Sequence, residues 1–193
     1  MRVIAGSAGG IRLEVPKTAV RPTMDRVKAA IFSSLGEEII GARVLDLFAG
    51  TGSLGIEALS RGAASVLFVD ADTAAVNAIE RNLARTKFEG RVRKQDVFAF
   101  LHAAQIAEPF RLIFADPPYD KTKSGEQFTH LLLGSVELVR MLEPSGTFVL
   151  EKRPEEKMPP APLWNISRDR RYGATEVLFL QPAGTFSDTP GSS

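Results

Sequence analysis

The chain contains no cysteine, one tryptophan, two tyrosines and two histidines in 193 residues. Without cysteine there are no disulfides, no thiolate metal ligands and no cysteine nucleophile. His102 and His130 are far apart in sequence and share no ligand spacing, so no metal site is expected. No apolar run approaches the length of a membrane span. The first residues, Met1-Arg2-Val3-Ile4-Ala5-Gly6, lack the long apolar stretch of a signal peptide. Neither sign of charge dominates: 24 basic side chains face 23 acidic ones. The expectation is a cytoplasmic monomer with no membrane partner, built as one domain with a small appendage. Its hydrophobic share, 44%, suffices for a core.

The positive charge is unevenly placed. Residues 1–28 carry Arg2, Arg12, Lys17, Arg21, Arg26 and Lys28 against Glu14 and Asp25. Smaller basic clusters recur at Arg91-Val92-Arg93-Lys94, Lys121-Thr122-Lys123 and Arg168-Asp169-Arg170-Arg171. Two readings stay open: one phosphate-binding face, or unrelated solvated surfaces.

No internal repeat is present. Val3–Ala5 and Ile11–Val15 flank Gly6-Ser7-Ala8-Gly9-Gly10 as a hairpin signal, so residues 1–22 read as an N-terminal β-hairpin extension. Its charge suggests service to RNA more than to folding. Pro22 and Thr23 open a helix through about Leu35, with Val27, Ala30, Ile31 and Leu35 on one stripe. From residue 43 strands and helices alternate: strands at 44–48, 65–70, 91–95, 111–115 and 146–152, with helices from about 53, at 73–86, near 97–104 and near 126–142. Such alternation means right-handed crossovers and a parallel sheet covered on both faces. After residue 153 it stops. Leu163–Arg168 and Thr175–Leu180 look like a terminal hairpin that adds an antiparallel strand. The expected fold is α/β and Rossmann-like, a mostly parallel seven-stranded sheet over residues 23–181, with 182–193 as a disordered tail.

Asp46-Leu47-Phe48-Ala49-Gly50-Thr51-Gly52-Ser53-Leu54-Gly55 fits a Gly-rich strand-to-helix turn. Alone it also fits a nicotinamide-binding protein, where the helix N-terminus holds a pyrophosphate. Asp46 is poorly placed for a pyrophosphate and well placed near a cationic amino-acid ligand, or it braces the turn by accepting backbone N–H groups. Asp70 ends the apolar run Val66–Val69 and can accept both hydroxyls of a ribose; Asp72 is read as a helix cap. Asp96 either accepts from an adenine amino group or caps the next helix. Phe48, Gly50, Gly52, Ala71 and Val97 complete the candidate cofactor set.

Asp116-Pro117-Pro118-Tyr119 directly follows Leu112–Ala115 and is the most specific motif in the chain. Two prolines stiffen the loop. Asp116 and the Pro117 carbonyl then offer acceptors that converge on an NH₂ group, and Tyr119 offers a ring face to a flipped base. Bonds to the amino hydrogens localise a nitrogen lone pair toward an activated methyl group, so the protein supplies positioning and charge. Methylation at a pyrimidine ring carbon, which uses a cysteine, is closed to this chain. The residues alone leave guanine N2, adenine N6 and cytosine N4 open.

The D-x-F-x-G-x-G and D-P-P-Y pair resembles the amino-methylating class I methyltransferases. Gly6…Gly10-Ile11-Arg12-Leu13…Val15-Pro16 and Arg21-Pro22-Thr23-Met24-Asp25-Arg26-Val27-Lys28 resemble the N-terminal signature of the bacterial 16S rRNA guanine-N2 methyltransferases of the RsmD type. The resemblance spans nearly the whole chain except the tail. It implies S-adenosylmethionine as cofactor, S-adenosylhomocysteine as product, and a guanine of 16S rRNA in an assembled small subunit as substrate. It also places Arg21, Thr23 and Arg26 over the methionine end of the cofactor or at the target pocket, and it makes Asp116 a neighbour of the cofactor as well as the catalytic group. Arg2, Arg12, Lys17, Arg26, Lys121, Lys123, Arg170 and Arg171 are the candidate RNA contacts. Two rivals remain: an NAD-dependent oxidoreductase, which leaves Asp116–Tyr119 idle, and a non-catalytic RNA-binding module, which predicts a degraded catalytic loop.

Overall fold

Apolar runs bounded by glycine and aspartate become the strands, and stretches with one apolar stripe become the helices that cover them. The computed structural model describes residues 1–15, 24–105, 107–118 and 124–184. Strands β1 (Arg43–Leu47), β2 (Ser65–Asp70), β3 (Arg91–Lys94), β4 (Phe110–Ala115), β5 (Leu142–Lys152), β6 (Trp164–Tyr172) and β7 (Thr175–Pro182) form one sheet in the order β3-β2-β1-β4-β5-β7-β6. The first five are mutually parallel; β7 runs antiparallel to both β5 and β6. This is the expected Rossmann-like sheet with its C-terminal hairpin. The chain reverses its winding between β1 and β4, which opens a crevice at the carboxyl ends of those strands.

Helices α1 (Met24–Leu35), α2 (Ser53–Ser60) and α3 (Thr73–Thr86) cover one face; α4 (Val97–Ala103), α5 (Ser124–Gly134) and α6 (Val136–Arg140) cover the other. Each face has its own buried cluster: Val44, Phe68, Phe114 and Val149 point toward α1–α3, while Leu45, Val69, Ile113 and Leu150 point the opposite way. That split is the period-two alternation of a strand made physical. On α1 the stripe holds Val27, Ile31, Phe32 and Leu35; Phe32 takes the place expected for Ala30. α2 lies close on β2 because Gly55 has no side chain, and a Cβ there would stand 2.3 Å from the Phe68 ring.

Three boundaries differ from the sequence reading. The single helix expected near 126–142 is two, because Ser135 leaves the helical conformation and its hydroxyl caps α6 by accepting from the Leu138 N–H at 3.1 Å. β5 begins at Leu142 instead of Gly146, since Leu142 pairs with Phe110 across a register shift. β6 runs on to Tyr172, held by its pairing with β7.

The N-terminal segment also differs. Its described part is a hairpin reduced to a single bridge, Arg2 with Arg12. Val3, Ala8 and Leu13 are buried in the same cluster as α1 and α2. Fully burying side chains such as Val3 and Leu13 is worth roughly 1.5–3 kcal/mol each. The segment expected to serve RNA more than folding is thus also part of the core: its alternate residues are buried while the intervening arginines face solvent.

Candidate active site

The carboxyl edge of the sheet gathers four carboxylates. Asp70 ends β2, Asp46 lies in β1, Asp116 follows β4, and Glu151 lies near the end of β5. The last three share one face. Each stands two residues beyond a side chain of the α1-side core, namely Val44, Phe114 and Val149.

Asp46 is 2% exposed, and its Oδ2 accepts from the Gly55 N–H at 2.9 Å. The bracing role is thus real, and it clamps the start of α2 against β1. Burial pushes the Asp46 carboxyl up to about 8, helped by the charges of Asp116 and Asp70 and opposed by the Gly55 N–H. Glu151 is pushed well above the usual carboxylate range, first by burial and then by Asp116 and Asp46. Among the described residues no lysine or arginine pairs with Asp46 or Glu151.

Asp70 holds the Gly-rich turn from the other side. Its Oδ2 accepts from the Gly50 N–H at 2.8 Å and its Oδ1 from the Asp72 N–H at 2.9 Å. Each carboxylate oxygen keeps a further lone pair for a ligand hydroxyl. Gly50 has φ +56°, and a side chain there would meet only the Phe48 carbonyl, at 3.9 Å, so its outer side is open to a ligand. Gly52 instead faces Ile79, Phe68 and Ile56 and serves the turn. Phe48 takes the left-handed conformation at φ +53°, a strain of about 1–3 kcal/mol for a residue with a side chain.

Asp72 caps α3 through the Ala74 N–H at 2.7 Å, as expected. Asp96 caps α4 through the Ala99 N–H at 2.9 Å while its residue remains exposed, so capping and an outward acceptor coexist. Val97 is buried in the opposite core cluster, which leaves only its backbone for a ligand. Ala71 is exposed beside Asp70. Pro117 is buried and Pro118 exposed, so the loop after β4 is anchored at its first proline. Tyr119, Arg21, Thr23, Lys17, Lys121 and Lys123 lie outside the described residues.

Of the candidate RNA contacts, Arg2, Arg12 and Arg26 are exposed on the hairpin and α1. Arg2 and Arg12 line a hollow of about 520 Å³ with Met1, Gly10 and Asp25. Arg170 and Arg171 are on β6, at one side of the sheet, whereas Arg91–Lys94 form β3 at the other. These two clusters therefore do not form one continuous face.

The sequence reading missed several residues. Glu151 carries the same signal as Asp70 and Asp116, a carboxylate at the end of an apolar strand. Phe48, Phe98 and Phe128 form an aromatic triangle with centroid separations of 5.7–6.0 Å, joining three elements that follow three different strands. Asn82, fully buried, donates to the carbonyls of Thr51 and Glu14 and so ties the hairpin to the Gly-rich turn. Arg85 donates to the Arg12 carbonyl at 3.3 Å and extends the basic surface onto α3.

The family model described as conserved hypothetical protein 95 matches residues 1–181. The chain is 41% identical to YlbH of Bacillus subtilis (strain 168) over 189 residues, 95% of this chain and all of that one. It is 34% identical over 184 residues to Ribosomal RNA small subunit methyltransferase D of Escherichia coli (strain K12), covering 94% of this chain and 89% of that one. Among solved structures, yhhF from Escherichia coli superposes with a TM-score of 0.78 at 33% identity, over 94% of this chain and 97% of that one.

Proposed function

The chain belongs to the conserved hypothetical protein 95 family, a family of methyltransferases, and from that premise we propose that it transfers a methyl group from S-adenosylmethionine to the exocyclic N2 amino group of a guanine in 16S rRNA. It acts as a monomer on an assembled small ribosomal subunit in the cytoplasm. Among the described residues no helix is long and apolar enough to cross a membrane. The observation that carries the reading is Asp116. It follows β4 on the same edge and face as Asp46, and the stiff Pro117-Pro118 step comes after it. The name of the Escherichia coli relative supports small-subunit rRNA as the substrate class.

The residues present fit the cofactor. Burial and mutual repulsion hold the Asp46 and Glu151 carboxyls toward their protonated forms, and a ligand with a cationic amino group and a cationic sulfur would favour ionisation of the Asp46 carboxyl beside it. When bound, S-adenosylmethionine provides a methyl group already activated for transfer. Asp46 and the open side of Gly50 would take its methionine end, Asp70 would accept from the ribose hydroxyls, and Asp96 with the Val97 backbone would meet the adenine edge. Phe48 and Ala71 would border it, and the family resemblance assigns Arg21 and Thr23 to its methionine end or to the target pocket.

Asp116 and the Pro117 carbonyl accept from the two hydrogens of the target amino group, while Tyr119 stacks on the base. These bonds draw the nitrogen lone pair out of conjugation and aim it at the methyl group. With the cofactor bound, its sulfonium would supply the methyl group and keep the electron pair of the broken bond. The nitrogen then carries an extra proton, which passes to Asp116.

Tritiated methyl transfer into small ribosomal subunits, with naked rRNA and duplex DNA as controls, tests the function. N2-methylguanine confined to the particle supports it. N6-methyladenine, N4-methylcytosine or equal labelling of DNA rejects it.

A further inference from the structure

Glu151 has no role in the mechanism above, yet it stands beside the group that does. Ala115 of β4 is level with Leu150 of β5, so Asp116 and Glu151 occupy the next level on neighbouring strands. Adjacent strands lie about 4.8 Å apart. Val177, the partner of Glu151 across β7, is buried on the α1 side, which confirms the face. Among the described residues nothing donates a hydrogen bond to the Glu151 side chain and no cation neutralises it. A carboxyl group next to two others favours its protonated form, and burial with the charges of Asp116 and Asp46 drives it in that direction. Such a group has one donor and one acceptor side by side.

The Watson–Crick edge of guanine carries, in order, the N2 amino group, the N1–H donor and the O6 acceptor. Resting on the reading that Asp116 holds the N2 amino group, we propose that Glu151 is a neutral carboxylic acid that reads the rest of this edge, accepting from N1–H and donating to O6. The two hydrogen bonds form a closed ring between the carboxyl group and the lactam of the base. Adenine, presented with its amino group at Asp116, offers one ring-nitrogen acceptor and then a C–H, so one Glu151 oxygen goes unpaired. Cytosine offers two acceptors in a row, which sets a carbonyl against the carboxyl oxygen. An unpaired polar atom in a desolvated site discriminates strongly. Glu151 is thus the residue that separates guanine from the other two amino-bearing bases.

The test compares wild type, Glu151→Gln and Glu151→Ala in single-turnover methylation of small ribosomal subunits that lack the modification, with nucleoside analysis of the product. Cofactor affinity and melting temperature are measured on the same preparations. Glutamine offers the same donor and acceptor as a neutral acid, so Glu151→Gln should stay within a few-fold of wild type. Glu151→Ala should lose roughly 10- to 100-fold, the scale of removing two hydrogen bonds, with cofactor affinity unchanged. An alanine variant at wild-type rate overturns the proposal, and so does a glutamine variant as impaired as alanine, because the group would then act as an anion. If wild type itself forms no N2-methylguanine, the functional reading has failed, and the proposal falls for that separate reason.

Discussion

The Lys28 ammonium lies 3.4 Å from the Glu57 carboxylate, and both side chains are sealed from solvent. Glu57 also accepts from the N–H groups of Ile4 and Ala5 and from Arg61, while Lys28 donates to the Arg2 carbonyl and to Ser53 at the start of α2. One buried pair therefore joins the N-terminal hairpin, α1 and α2. Removing one partner leaves the other charged and alone. Glu57→Ala should destabilise the protein by about 3–5 kcal/mol, the range for breaking a buried pair. Urea unfolding of the variant with a loss below about 1 kcal/mol would show that water replaces the carboxylate.

Asp46 makes stability and cofactor binding depend on pH. Its folded value, about 8, is above the ordinary 3.8, so its contribution is complete below the ordinary value and is lost as pH rises through about 8. The ligand-free melting temperature should fall across that interval, and Asp46→Asn should flatten the fall. A cationic ligand favours the ionised form, so cofactor binding near neutral pH should release a proton. Calorimetry in buffers of different ionisation enthalpy reads this directly, and a buffer-independent enthalpy would refute it.

Asp70 both braces Gly50 and faces the proposed ribose. Asp70→Ala should weaken S-adenosylmethionine by on the order of 1–3 kcal/mol, with the NAD affinity of either protein negligible. Unchanged affinity in a folded variant would remove Asp70 from the ribose site.

In the proposed mechanism Asp116 acts in the transfer step. Asp116→Ala should reduce single-turnover methylation by at least about 10²-fold, the scale for one positioned group in a transition state. Its cofactor affinity should change far less. Normal binding with near wild-type transfer in this variant contradicts the mechanism.

Arg12 and Arg26 carry no ion pair among the described residues, and Arg85 abuts Arg12. Replacing all three with glutamine should weaken RNA binding uniformly and flatten its salt dependence, by up to roughly one unit of slope for each phosphate left without its arginine. An unchanged slope would locate the RNA path elsewhere on the molecule.

The motifs and the alternation were legible because local chemistry dictates them: Asp70 ends an apolar run, Asp72 and Asp96 cap helices, and Gly55 admits a close helix. Glu151 escaped notice although it obeys the same strand-end rule, since its meaning comes from β4 lying next to β5. The Phe48–Phe98–Phe128 triangle and the Lys28–Glu57 pair join residues distant in sequence, and no periodicity reports such contacts.

By itself the sequence determined which segments became strands and helices, where the Gly-rich turn falls, and which rigid loop presents Asp116. Those outcomes depend on residues within a few positions of one another. Tertiary structure decided that Asp46, Asp116 and Glu151 share one face, that the basic clusters of β3 and β6 lie at opposite edges, and that a basic hairpin is also part of the core. These depend on strand order and on the parity of side chains across paired strands, which only the assembled sheet defines.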